Sequence, residues 1–122
     1  MSLRISKRFE FSASHQLGKL ADGHPCGRLH GHNYIVELQL SGTPEQLDEA
    51  GFVRDYGDLI EFKRWLDAEV DHRHLNDLLP EGLNPSAENL AIWLYRLWRP
   101  LFPQLSGVGV SETPKTWAWY QP

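Results

Sequence analysis

The sequence predicts an α+β domain in which a four-stranded antiparallel sheet of two hairpins carries two helices on one face. Three observations support that class. Segments near both ends alternate apolar and polar residues with a period of two. Two segments between them repeat apolar residues at helical spacing, and the elements run strand, strand, helix, helix, strand, strand.

Each element has its own signal. In Leu3 to Ser14, Leu3 and Ile5, then Phe9 and Phe11, alternate with polar neighbours, as a half-buried strand requires. Gln16 to Arg28 holds three glycines and a proline and reads as a loop. His30 to Leu40 is the clearest strand, with His30, His32, Tyr34, Val36, Leu38 and Leu40 on one face. Ser41-Gly-Thr-Pro ends it. Asp55, with Asp58 behind it, reads as the cap of a helix whose apolar stripe is Leu59, Phe62, Leu66 and Val70. A polar turn, Asp71-His-Arg-His-Leu-Asn-Asp, separates it from a second helix opened by Asn84-Pro85 and carried by Leu90, Leu94, Leu97 and Leu101. The tail alternates through Val108, Val110 and Glu112, turns at Thr113-Pro114-Lys115, and returns through Trp117 and Trp119. The five tryptophans are read as packing residues.

Length and composition bound what such a chain does. At 122 residues, 41% apolar and 23% charged, residues 1–122 form one ordinary domain without repeat or linker. No apolar run approaches the roughly 20 residues of a membrane-spanning helix, and the first residues lack a signal core. A net charge of −4 argues against a general nucleic-acid binder, and a single cysteine suits a reducing cytoplasm. The expectation is a cytoplasmic protein with no membrane or nucleic-acid partner. Four strands and two helices make a thin domain, for which assembly through sheet edges buries more surface.

Six histidines are the compositional anomaly, four of them (His15, His24, His30, His32) in the first third of the chain. His30 and His32, two apart on a strand, point the same way and grip one ion, and His15 supplies a third nitrogen if the first two strands pair. Three imidazoles without a fourth protein ligand make an open metal site. His24 reads as a surface residue. Cys26 has three readings: a fourth ligand that closes a structural site, an activated thiol, or a small buried hydrophobe. Asp71-His72 is either a carboxylate-oriented imidazole or a solvated turn. Arg73 and His74 extend that polar run. Glu112 shares the parity of Val108 and Val110, so it is either a buried carboxylate awaiting paired N–H donors or a strand end in water.

Taken in order, His15 in Phe-Ser-Ala-Ser-His, Cys26-Gly-Arg-Leu-His30-Gly-His32, Asp71-His72 and Glu112-Thr113 resemble the 6-pyruvoyltetrahydropterin synthase family, most closely its bacterial 6-carboxytetrahydropterin synthase branch in queuosine synthesis. Val53-Arg-Asp-Tyr-Gly-Asp-Leu and Asn84-Pro-Ser-Ala-Glu-Asn-Leu extend the resemblance over nearly the whole chain. It implies the tunnelling fold, with subunits joined edge to edge, trimers stacked into a homohexamer, and active sites at the interfaces. It also implies 7,8-dihydroneopterin triphosphate as substrate and Zn²⁺ held by His15, His30 and His32. By the same resemblance, Cys26 is the proton-abstracting base, Asp71 and His72 a relay pair, and Glu112 the catalytic-site anchor of the pterin. Thr113, Ser86 and Arg28 fall at substrate-binding positions, and Arg28, Arg73 and Lys115 are the candidate cations for the triphosphate. Two rivals stand beside this reading: a pyruvoyl-forming sister activity on the same scaffold, and a non-catalytic zinc module closed by Cys26.

Overall fold

Alternation decides the sheet. In the computed structural model, which describes residues 2–122, β1 (Leu3–His15) and β2 (His30–Gly42) pair antiparallel from Leu3↔Gly42 to His15↔His30. Odd positions of β1 and even positions of β2 therefore share one face, where Phe9, Phe11, Tyr34, Val36 and Leu38 are buried. The other face is polar, with Arg8 paired to Glu37 at 3.4 Å.

The helices cover the apolar face. Asp55 caps as its position predicts, its carboxylate accepting the Gly57 N–H at 2.8 Å, but the segment it opens is a 3₁₀ turn, Tyr56–Leu59, that runs on into α1 (Ile60–Glu69). α1 is followed by β3 (Arg73–His74), α2 (Ala87–Trp98), β4 (Leu105–Ser111) and β5 (Ala118–Tyr120). Phe62 and Leu66 of α1 and Leu90, Leu94 and Trp98 of α2 meet the sheet in one core, with Phe9 edge-on to Phe62 at 5.0 Å. Burying each such side chain stabilises the domain by about 1.5–3 kcal/mol.

Three details differ from the sequence expectation. The sheet has five strands, ordered β3-β1-β2-β4-β5, because Arg73 and His74 pair in parallel with Ala13 and Ser14 at the edge of β1. Two residues are too few to show a period, so the turn hid them. The cap of α2 is Ser86, whose hydroxyl accepts the Asn89 N–H at 3.2 Å, and not Asn84. The Asn84 amide is engaged elsewhere, by the main chain of Gly18. Finally, the buried stripe of α2 ends on Trp98, while Leu97 and Leu101 are exposed. Trp98 sits four residues beyond Leu94, on the same side of the helix, and stacks on Phe102.

At the other end of the sheet, β5 folds its tryptophan across β4. A Cβ on Gly109 would stand 2.6 Å from the Trp119 ring, so only glycine lets the indole lie flat there. Among the described residues, no helix is long and apolar enough to cross a membrane.

Candidate metal centre and its cleft

The β1–β2 register brings the histidines together. His15 and His30 are cross-strand partners, and His32 is two residues further on the same face. One ring nitrogen from each of the three lies within 4.8 Å of the others, and among the described residues this is the group that could hold a metal ion. Gly31 allows the approach: a Cβ there would meet the Ala13 carbonyl at 3.2 Å, tighter than a β-sheet accepts without shifting.

Hydrogen bonds orient each ring. His15 is fully buried, and its Nδ1 donates to the Pro85 carbonyl at 2.8 Å, with the Tyr34 hydroxyl 3.2 Å away. His30 Nδ1 donates to the Arg28 carbonyl at 2.5 Å. Both bonds put the proton on Nδ1 and leave Nε2 with a lone pair. The two Nε2 atoms then face each other at 2.9 Å. His32 Nε2 is buried and has no hydrogen-bond partner. Three nitrogens, two without a proton and one orphaned, are a donor set that a cation completes. Burial pushes the pKa of His15 and of His32 down, so these rings favour the neutral, ligating form. Burial likewise pushes the Tyr34 hydroxyl up, keeping it protonated. Three imidazole nitrogens so placed fit a transition-metal cation.

A cleft of about 720 Å³ opens beside His32 and is lined also by Asp71, His72, Glu112 and Thr113. The Glu112 carboxylate stands 3.8 Å from His32 Nε2. Asp71 and His72 form a pair, Oδ2 to Nδ1 at 2.9 Å. Ser12 donates its N–H to the other Asp71 oxygen at 2.8 Å, and that bond, with His72 behind it, holds the carboxyl below its ordinary range. The His72 ring is 81% exposed and sits on a left-handed backbone, φ 62°. A non-glycine residue accepts that strain, of order 1–2 kcal/mol, where the surroundings impose it. Here the turn leaving α1 is fixed by Asp71 N–H to Leu66 O and by His72 N–H to Ser12 O.

The remaining candidates lie around this centre. Cys26 is half-buried in a 3₁₀ turn, Pro25–Gly27, outside both the convergent histidine set and, among the described residues, the lining of the Glu112 cleft. Arg28 is an exposed residue on the same loop, and Lys115 is exposed in the β4–β5 turn. Ser86 follows the proline whose carbonyl orients His15. Arg73 and His74 join His32 and His72 around an adjoining hollow of about 600 Å³.

Sequence reasoning missed the residues that act through their backbone or through the loop. The Pro85 and Arg28 carbonyls have no side-chain signature. His24 is exposed, as read, and its added role is to accept the Cys26 N–H on Nδ1 at 3.0 Å, for which its position two residues before Cys26, just ahead of a proline, is the signal.

Known proteins resemble this chain in sequence and fold. The family model described as 6-pyruvoyl tetrahydropterin synthase matches residues 4–122. A protein of Archaeoglobus fulgidus provisionally named 6-carboxy-5,6,7,8-tetrahydropterin synthase is 32% identical over 109 residues, covering 88% of this chain and 86% of its own. The dihydroneopterin monophosphate aldolase of Pyrococcus furiosus is 31% identical over 106 residues, covering 84% and 81%. The structure of Caenorhabditis elegans 6-pyruvoyl tetrahydropterin synthase superposes with a TM-score of 0.83 at 27% identity, covering 100% of this chain and 96% of that one.

Proposed function

Because the chain belongs to the 6-pyruvoyl tetrahydropterin synthase family, we propose that it is a zinc-dependent lyase acting on 7,8-dihydroneopterin triphosphate. With one water, the substrate becomes 6-carboxy-5,6,7,8-tetrahydropterin, triphosphate and acetaldehyde, a step towards the 7-deazaguanine of queuosine. The observation that carries the reading is the convergence of three imidazole nitrogens beside the Glu112 carboxylate at a cleft of about 720 Å³. The carboxy product is favoured by the sequence Cys26-Gly-Arg-Leu-His30, with three residues between the thiol and the first ligand of the pair.

The residues divide the work as follows. His15, His30 and His32 hold Zn²⁺, which supplies a Lewis acid for the oxygens of the substrate's side chain. Glu112 accepts two N–H donors from the pterin, a geometry that suits an ionised carboxylate, with Thr113 beside it and Ser86 close by. Cys26 takes the carbon-bound proton as thiolate. His72 then carries protons between positions on the substrate, its Nδ1 held by Asp71 and its Nε2 left for the exchange. Arg28, Arg73 and Lys115 meet the triphosphate, which an acidic protein binds only through local cations.

The exposed His72 and the separate setting of Cys26 also support an active site shared between subunits. Among the described residues Cys26 does not line the cleft that Asp71 and His72 of the same chain line, which suits a reaction that draws them from two copies, as in a homohexamer of stacked trimers.

The test is a product assay by mass spectrometry on zinc-loaded protein with 7,8-dihydroneopterin triphosphate. The expected result is a carboxypterin with one equivalent of trapped acetaldehyde. A pyruvoyl product would assign the sister activity, and no turnover by metal-replete protein would favour a non-catalytic zinc module.

A further inference from the structure

The loop that carries Cys26 is tied to the body of the domain by two asparagines acting as surrogate strand. The Asn76 amide brackets Gln16: the Gln16 N–H donates to Asn76 Oδ1 at 2.9 Å, and Asn76 Nδ2 donates to the Gln16 carbonyl at 2.8 Å. Asn84 brackets Gly18 in the same way, with both bonds at 2.8 Å. Each side chain thus reproduces the donor and acceptor pair that a neighbouring strand would offer. They extend the edge of β1 past His15 to the point where Lys19 turns the chain through a left-handed residue, φ 62°.

The bracketed segment in turn holds the Cys26 turn. The Leu17 N–H, between the two brackets, donates to the Cys26 carbonyl at 3.3 Å. Gln16 Nε2 donates to the Gly27 carbonyl at 3.1 Å. Two links therefore join Asn76 to Cys26: its amide fixes the Gln16 backbone, and Gln16 and Leu17 fix the carbonyls of Cys26 and Gly27. Asn84 is itself held by Asn89, whose Nδ2 donates to the Asn84 carbonyl at 2.9 Å.

We propose that Asn76 and Asn84 are positioning residues that set the placement of the Cys26 thiol by hydrogen-bonding the main chain of Gln16 and Gly18. The proposal rests on Cys26 being the base, and its central readout does not depend on the substrate. Asn84 stands next to Pro85, which orients a metal ligand, so Asn76 is the cleaner of the two to change. Its side-chain hydrogen bonds go to the Gln16 main chain, and it does not line the Glu112 cleft.

The experiment compares wild type, Asn76→Ala and Asn76→Asp, each zinc-loaded. Cys26 is the single cysteine, so alkylation by iodoacetamide, followed by intact mass across a pH series, reports on one thiol. For Asn76→Ala we expect unchanged zinc stoichiometry, an alkylation profile shifted in rate or midpoint, and kcat lower by about tenfold or more with KM little changed. Asn76→Asp keeps the acceptor for the Gln16 N–H and loses the donor, so it should recover part of the change. An alkylation profile identical to wild type in Asn76→Ala would overturn the proposal, whatever the activity. A shifted profile in a protein whose wild type turns over no pterin would uphold the positioning and overturn the functional reading instead.

Discussion

At the residue scale, the distinction that matters is between a thiol that binds the metal and a thiol that acts on the substrate. Cys26 lies outside the set of nitrogens that converge, as the proposed catalytic thiol requires. Replacing Cys26 with alanine should leave the zinc content measured by plasma mass spectrometry unchanged and lower turnover by roughly 10²–10⁴-fold, the range associated with a positioned proton-transfer group. Loss of zinc in that variant would make the thiol a ligand. Asp71 allows a second prediction with a definite sign. Its carboxyl is held below the usual 3.8 by the Ser12 N–H and by His72. A depressed carboxyl contributes stability that is fully present above its unfolded value and is lost as pH falls through the folded one. Asp71→Asn should therefore melt at a lower temperature than wild type near neutrality, and the two curves should converge below about pH 3.8. A gap that persists unchanged into strong acid would show that the carboxylate's charge contributes nothing.

At the element scale, what was legible in the sequence follows from repetition. β2 alternates for eleven residues from His30 to Leu40, and the parity that buries Val36 and Leu38 also aims both of its histidines inward. The clustering of His15, His30 and His32 is therefore legible once β1 and β2 pair as a hairpin. Short and non-repeating features were not readable. β3 is two residues long and is created by Asp71 and His72 bonding to Ser12, a contact 59 residues away in sequence. The sequence reads Asn84 as the cap of α2, and local pattern does not reveal that the Asn84 amide is taken by Gly18, which leaves the cap to Ser86. The observed cap gives a measurable consequence. Ser86→Ala should lower stability by about 1 kcal/mol in urea unfolding, the usual effect of losing a serine cap. A variant as stable as wild type would show that the Ser86–Asn89 bond adds nothing. A rise in KM alongside the lost stability would add the substrate contact proposed for this hydroxyl.

At the scale of the whole molecule, the fold leaves its chemistry at edges. β3 and the exposed His72 stand at one end of the sheet, β5 and the partly exposed Trp119 at the other, and the cleft opens beside His32. Edges with unpaired backbone groups invite a second copy of the chain. If the active sites are shared, two single variants should rescue each other. Cys26→Ala and His72→Ala, each nearly inactive alone, should recover activity when unfolded together and refolded as mixed oligomers. Mixed oligomers confirmed by native mass spectrometry but still inactive would place both groups in one subunit's site.

Zinc K-edge X-ray absorption on the loaded protein distinguishes an open metal centre of three imidazoles from a closed one. Three nitrogen neighbours near 2.0–2.1 Å are expected, with one further oxygen and no sulfur. A sulfur neighbour near 2.3 Å would make Cys26 the fourth ligand, close the site, and contradict both the catalytic thiol and the cleft beside it as a place for chemistry.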